Sequence, residues 1–424
     1  MGFPDGFLWG ASTSSYQIEG GNTRSALVDW ERKKGWEPCG DAADSWNRWR
    51  EDLACLKELG ANTYRFSVEW SRVQPSAGEF DEDALARYAE MARAFKQAGI
   101  RPIVCLHHFS EPAWLFKKYP KGWLEPRAAD EFIKFADRVI RTLRMDVSDW
   151  ISFNEPMVWL MSGYALGFFP PGFYRIHALE KTFLEQGLLE NVLRAHREVY
   201  RLVHEDIPNG KVAIAQNIVD LEPAKQCAAD LGALNKWDLF MHRRILDLAH
   251  SAKTLDFIGL NYYTRIFVSK ARLPFVPFGI IPAYAELEEI IGEFGLKLLG
   301  GRRGDRPRSD MNWEIVPEGL GKVALSLSKA YPLPIVVSEN GVADITADGR
   351  ERFLKSHLKS LQGAIDAGAN ITGYLHWSLL DNYEWGSYRP RFGLYNVDRE
   401  NGFKRSKASG AEYYRRVIRA NKVV

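Results

Sequence analysis

Two glutamates draw attention through what precedes them. Glu339 ends the run Pro334-Ile335-Val336-Val337-Ser338 and is followed by Asn340-Gly341. Glu155 ends Trp150-Ile151-Ser152-Phe153-Asn154 and is followed by Pro156. Each run reads as a strand that stops at a carboxylate, and Ile335-Val336-Val337 is apolar enough to be buried on both faces. Two carboxyls in one pocket can divide labour: one stays protonated near neutral pH and serves as an acid, the other stays ionised and attacks carbon. Gln17, Arg65, His107-His108, Asn154, Asn261-Tyr262-Tyr263, Trp377 and Glu384-Trp385 fall at or just past other apolar runs. Amides, a phenol, a guanidinium and indoles suit a substrate with many hydroxyls, since aromatic faces stack on the C–H faces of sugars. Glycoside hydrolysis requires that combination. Residue types alone do not say which glutamate plays which part.

Residues so far apart in sequence meet only if the strands converge. The spacing predicts strands over Phe7–Thr13, Asn62–Trp70, Pro102–Phe109, Trp150–Pro156, Lys211–Ile218, Leu255–Tyr263, Pro334–Gly341 and Ile371–Asp381. Helices are predicted over Asp44–Leu59, Glu82–Ala98, Ala128–Arg144, Ala178–Glu205, Trp237–Ala249, Pro317–Lys329, Arg352–Ala367 and Ala408–Ala420. Three helix ends share one pattern, Leu59-Gly60-Ala61-Asn62, Ala98-Gly99-Ile100-Arg101 and Ala367-Gly368-Ala369-Asn370. Each puts glycine where a left-handed cap is wanted and then starts a strand. The helix-to-strand turns are short, whereas the strand-to-helix loops are long and rich in Trp, Pro and charge. The fold class is therefore α/β, a single-domain (β/α)8 TIM barrel over residues 1–424 with long loops at the C-terminal face. A doubly wound open sheet is the rival architecture. It would bring a glycine-rich phosphate loop, and neither G-x-G-x-x-G nor G-K-S/T occurs.

Composition narrows the partners. Fifty-six basic against 54 acidic residues leave a net charge of +2, which gives nucleic acid or polyanion binding no support. Cys39, Cys55, Cys105 and Cys227 are scattered, with no C-x-x-C pair and no zinc spacing. Neither a metal nor any other cofactor is expected. Scattered thiols suit a reducing compartment, the N-terminal residues do not resemble a signal peptide, and no apolar run reaches 18 residues. The expectation is a cytoplasmic protein without a membrane span; a homo-oligomer stays open.

The motifs Phe7-Leu8-Trp9-Gly10-Ala11-Ser12-Thr13-Ser14-Ser15-Tyr16-Gln17-Ile18-Glu19-Gly20-Gly21, Tyr64-Arg65-Phe66-Ser67-Val68-Glu69-Trp70-Ser71-Arg72 and Phe153-Asn154-Glu155-Pro156 stand in order. Asp256-Phe257-Ile258-Gly259-Leu260-Asn261-Tyr262-Tyr263, Val337-Ser338-Glu339-Asn340-Gly341, Trp377-Ser378-Leu379-Leu380-Asp381-Asn382-Tyr383-Glu384-Trp385 and Arg391-Phe392-Gly393-Leu394-Tyr395-Asn396-Val397-Asp398 follow. Together they resemble family 1 of the glycoside hydrolases, the retaining β-glycosidases, over nearly the whole chain. The resemblance implies that Glu339 is the nucleophile and Glu155 the acid/base, about 5–5.5 Å apart. It implies that Arg65, Tyr263 and Asn261 orient the nucleophile, that Tyr263 also binds substrate, and that Asn154 holds the sugar 2-hydroxyl. Gln17, His108, Glu384 and Trp385 would bind the outer hydroxyls, and Trp377 would form the floor beneath the ring.

This sequence departs from the family pattern in two places. Phe109 stands where the family often has Trp, which bears on sugar preference, and Met157 follows N-E-P where Trp is frequent. Glu384-Trp385 is intact, so a 6-phosphate would meet a carboxylate; an unphosphorylated β-glucoside or oligosaccharide is the expected substrate, with β-galactosides and β-fucosides as further candidates. Glu69 and Glu111 read as support or rim residues, and one of His107 and His108 as part of the barrel wall. Residues 264–311 fit the family least and are expected to be a folded loop, with the apolar stretch 273–299 as a candidate lip for apolar aglycones. The alternative function is a catalytically silent sugar-binding protein on the same barrel.

Overall fold

The structure is a computed structural model that describes residues 2–271, 279–283, 295, 304–344, 346 and 348–424. Eight parallel strands close into a barrel: β1 (Leu8–Ser12), β2 (Thr63–Ser67), β3 (Arg101–Cys105), β4 (Asp149–Asn154), β5 (Lys211–Asn217), β6 (Ile258–Asn261), β7 (Ile335–Asn340) and β8 (Ile371–Trp377). Each strand pairs with its neighbour in sequence, and β8 closes on β1 with Leu8 opposite Gly373. The barrel expectation is met.

The interior is packed rather than hollow. Ile103 and Cys105 from β3, Ile151 from β4, Ala213 and Ala215 from β5, Val336 from β7 and Leu375 from β8 form one buried cluster, as the layered filling of such barrels requires. A larger apolar layer lies between strands and helices. Gly60, Gly99 and Gly368 all adopt positive φ, 77°, 76° and 95°. The three repeated helix ends are thus left-handed caps that swing the chain directly into β2, β3 and β8.

Element boundaries shift in informative ways. The second strand ends at Ser67, because the Glu69 side chain caps a short helix, Trp70–Val73, by accepting from the Ser71 amide. The long helix expected from Ala178 begins at Leu188; Gly187, at φ 78°, separates it from short 3-10 and π turns. Pro156–Tyr164 is a helix that the sequence reading missed, with Pro156 in its first turn, where a missing N–H costs nothing. Ala228–Asp238 was missed as well. The stretch expected to be a loop after β6 contains a strand, Arg265–Lys270, paired with Asp220–Pro223 and with Ile280–Ala283. Arg265 anchors this small sheet through ion pairs to Glu314 at 2.7 Å, to Glu222 at 3.5 Å and to Asp305. Apart from 279–283 and 295, the proposed lip 273–299 lies outside the described residues.

Candidate active site

The C-terminal ends of the strands deliver the polar residues to one place. Register shifts occur just before both glutamates, between Ile151 and Asn154 in the β4–β5 pairing and between Val337 and Glu339 in the β7–β6 pairing. Such irregularities re-aim side chains at strand ends. Glu155 itself sits at φ 44°, and Phe109 and Trp385 are likewise left-handed at 65° and 44°. Three non-glycine residues in this costly region, one just past β4 and the others in the loops after β3 and β8, mark a site whose geometry is imposed by its surroundings. Gly341 is required next to Glu339 and Asn340: a Cβ there would lie 1.7 Å from the Trp377 carbonyl oxygen.

Glu339 is gripped from both sides. Arg65, fully buried on β2, donates through Nη1 to Glu339 Oε1 at 2.5 Å, and the Tyr263 hydroxyl donates to Oε2 at 2.8 Å. Burial lifts the Glu339 carboxyl above its ordinary range, while Arg65 and then Tyr263 draw it back. Burial first and the Glu339 charge second push the Tyr263 phenol well up, so it stays a donor.

Glu155 has a different environment. Its Oε1 accepts from Asn261 Nδ2 at 2.7 Å and from Asn217 Nδ2 at 3.1 Å. Burial, reinforced by the nearby Glu339 charge, pushes its carboxyl up to about 7; the two amides pull the other way. Asn261, expected to orient Glu339, also serves Glu155: it donates to Glu155 Oε1 at 2.7 Å and, at 3.0 Å, to Asn154 Oδ1. A side-chain hydrogen bond from Asn261 also draws the Glu339 carboxyl down, less than Arg65 and Tyr263 do. Asn261 reaches both because it ends β6, next to β7, which carries Glu339, and across β5 from the end of β4, which Glu155 follows. Asn217 was missed altogether, although a polar residue ending a buried strand is a readable signal.

A polar wall and an aromatic wall complete the pocket. Arg65 Nη2 donates to Asn154 Oδ1 at 2.6 Å, and Asn154 Nδ2 lies 3.1 Å from His108 Nε2. Burial, with Arg65 and His107 adding to it, holds the His108 pKa far below its usual value, so the ring is neutral. Its Nδ1 is buried without a protein partner. Gln17 Nε2 donates to Tyr383 O at 2.9 Å, to Asn382 Oδ1 at 3.0 Å and to Glu384 Oε2 at 3.2 Å. Trp377 Nε1 donates to Glu384 Oε1 at 3.2 Å, and burial pushes Glu384 up to about 7. The His108 ring stacks 5.7 Å from Trp377 and 6.2 Å from Trp385, and Phe109 packs 5.3 Å from Trp385 and 5.7 Å from Phe169.

The residues set aside in the sequence stay aside. His107 packs 4.2 Å from Trp159 in the barrel wall, among Trp123, Phe132 and Phe153. Glu69 accepts from Ser15, Ser71 and Ser110, and Glu111 from Trp123, so both are structural.

The lifted Glu155 carboxyl has a cost that can be measured. Between pH 4.5 and about 7 the folded protein keeps the proton that the unfolded chain releases. Stability from this group is therefore full below pH 4.5 and lost as pH rises through 7. Glu155→Gln, which keeps the Oε1 acceptor without charge, should be more stable than the parent by on the order of 1–3 kcal/mol at pH 8 and equal to it at pH 4. Thermal melts at the two pH values check this; an equal Tm difference at both would contradict it.

One carboxylate held by a guanidinium and a phenol, another left protonatable, and amides and indoles gathered beside them at the strand ends define a (β/α)8-barrel glycoside hydrolase. The model for glycosyl hydrolase family 1 matches residues 1–253 and 246–423, and the chain belongs to that family. It is similar to β-glucosidase A of Thermotoga maritima, 31% identical over 99% of this chain and 98% of the relative. The solved structure of a β-glycosidase from Pyrococcus horikoshii superposes with a TM-score of 0.88 at 32% identity, covering 100% of this chain and 96% of that one. A rice protein named probable inactive β-glucosidase 14 is 30% identical over 98% of this chain and 90% of its own.

Proposed function

We propose that the whole chain, 1–424, is one catalytic unit, a retaining β-glucosidase that also accepts β-galactosides and β-fucosides. The difference in environment between the two glutamates carries the reading. The Glu339 carboxylate, held by Arg65 and Tyr263, attacks the anomeric carbon as the C1–O bond breaks. Glu155 gives its proton to the departing oxygen, whose bonding electron pair that proton captures. This leaves a glycosyl ester on Glu339. Glu155, now ionised, takes a proton from water, whose oxygen attacks C1 from the face the aglycone left; Glu339 departs and the product keeps the β configuration. Asn154 serves the 2-hydroxyl, where hydrogen bonds strengthen in the transition state. Gln17, His108, Glu384 and Trp385 hold the outer hydroxyls over the Trp377 ring.

Glucose preference is supported by the names of the relatives. Breadth toward galactose and fucose is supported by Phe109, whose ring carries no N–H donor. Fewer fixed polar contacts mean weaker discrimination between hydroxyl configurations. The silent sugar-binding alternative is disfavoured by the presence of both glutamates in complementary settings. Hydrolysis of a panel of 4-nitrophenyl β-glycosides tests both points: turnover of the glucoside, galactoside and fucoside is expected, and sugar binding without turnover would sink the enzyme reading. The unphosphorylated substrate follows from Glu384, which forms no ion pair with Lys or Arg among the described residues. The 6-phosphoglucoside should be cleaved at least about 100-fold less efficiently than the glucoside, since a phosphate dianion beside a carboxyl is both repelled and left unpaired. Comparable kcat/KM for the two would contradict this. No described helix is long and apolar enough to cross a membrane, and Cys39, Cys55, Cys105 and Cys227 are free thiols, which supports a reducing, cytoplasmic setting.

A further inference from the structure

The hydrogen-bond directions around Glu155 can be fixed one after another. Arg65 can only donate, so the Asn154 atom 2.6 Å from its Nη2 is an acceptor, Oδ1. The Asn261 atom 3.0 Å from that oxygen must then be the amide nitrogen. The other end of the same amide accepts from Ser338 Oγ at 2.7 Å, which agrees. Asn261 Nδ2 thus donates to Asn154 and to Glu155 Oε1, the latter at 2.7 Å. Asn217 Nδ2 donates a second N–H to the same oxygen at 3.1 Å. A carboxyl oxygen that accepts two N–H donors is the carbonyl-like one; a proton placed on it would weaken both bonds.

We propose that Asn217 is a positioning residue for the acid/base step: with Asn261 it confines the transferable proton to Oε2 of Glu155 and fixes the rotation that points Oε2 at the leaving oxygen. This rests on the acid/base reading of Glu155. Asn261 is tied into the Arg65 network, so removing it would disturb both glutamates. Asn217 ends β5 beside Asn261 and is half-buried, but its side chain hydrogen-bonds only Glu155 in this network, so its loss removes one donor and leaves the backbone pairing in place. The proton leaves Oε2 for the glycosidic oxygen, and the charge left behind is shared with Oε1, where both amides strengthen. In the second step the same Oε2 takes a proton from the attacking water. Asn217 therefore favours the ionised form of Glu155 while it aims the protonated one.

The test is the pH profile of kcat/KM for the full-length protein, with 4-nitrophenyl β-glucoside and with cellobiose. In Asn217→Ala the basic limb should move up by about 0.5–1 pH unit, because the carboxylate has lost a donor. Turnover of cellobiose, which needs full protonation of its leaving group, should fall by about tenfold, and of the 4-nitrophenyl glucoside by less than about threefold. Asn217→Leu, nearly isosteric and without a donor, should give the same shift, which separates the lost hydrogen bond from a lost side-chain volume. A basic limb that stays in place in either folded variant, with both substrates slowed equally, would overturn the proposal while leaving Glu155 as the acid. A parent protein with no turnover of either substrate would overturn the acid/base reading and this inference together.

Discussion

Glu339→Gly should lose about 10⁵-fold or more of its turnover of every glycoside, and azide should restore part of it with inverted configuration. The loss is total in kind because the carboxylate forms the bond to C1; nothing else in the pocket can replace it. Arg65 and Tyr263 would remain, two donors aimed at an empty volume, and a small anion fits between them. Azide would then attack from the face Glu339 used, but with no second displacement to restore configuration the product would be the α-glycosyl azide. A β-glycosyl azide from this variant would mean that Glu339 is the acid/base and that the roles are exchanged.

Glu155→Ala should behave differently, and the difference depends on the leaving group. Formation of the glycosyl ester from an activated 2,4-dinitrophenyl glucoside needs no proton and should slow by less than about tenfold, whereas cellobiose turnover should fall by on the order of 10³-fold or more. Hydrolysis of the ester loses its base, so azide should accelerate turnover and give the β-glycosyl azide through two displacements. The pH profile should change too. In the parent protein kcat/KM should fall as pH rises past about 7, because the acid form of Glu155 is lost there. In Glu155→Ala that limb should vanish with the activated substrate. A limb that persists would assign it to another group, with Glu384, also lifted to about 7, the first to examine.

Legibility in the sequence followed the length of the physical signal. The eight strands were readable because apolar runs alternate with periodic helices, and Gly60, Gly99 and Gly368 punctuate them. The carboxylates were readable because each ends such a run. Boundaries were less so: Glu69 looks like the continuation of a strand until its side chain is seen capping Trp70–Val73. Pro156 looks like a stop and instead starts a helix whose N-cap is Glu155 itself. Ala228–Asp238 carries little periodicity in its apolar residues, so its helix left no pattern to read. Within the site, Arg65 and Tyr263 both hydrogen-bond Glu339. Asn261 bears on both carboxylates, donating to Glu155 and drawing the Glu339 carboxyl down, a double contact that a one-dimensional motif cannot show. Asn217, a polar residue ending β5, is a weaker signal than a charge or an aromatic ring, and only the closure of the barrel brings it to Glu155.

The most direct test of the account is to trap the intermediate. Incubation with a 2-deoxy-2-fluoroglucoside bearing an activated leaving group slows both steps, the second more, and the labelled protein can be digested and sequenced by mass spectrometry. The label should sit on Glu339, in the peptide containing Pro334–Gly341, and its release should follow the return of activity. A label on Glu155, or full inactivation without any covalent adduct, would contradict the assignment of Glu339 as the nucleophile.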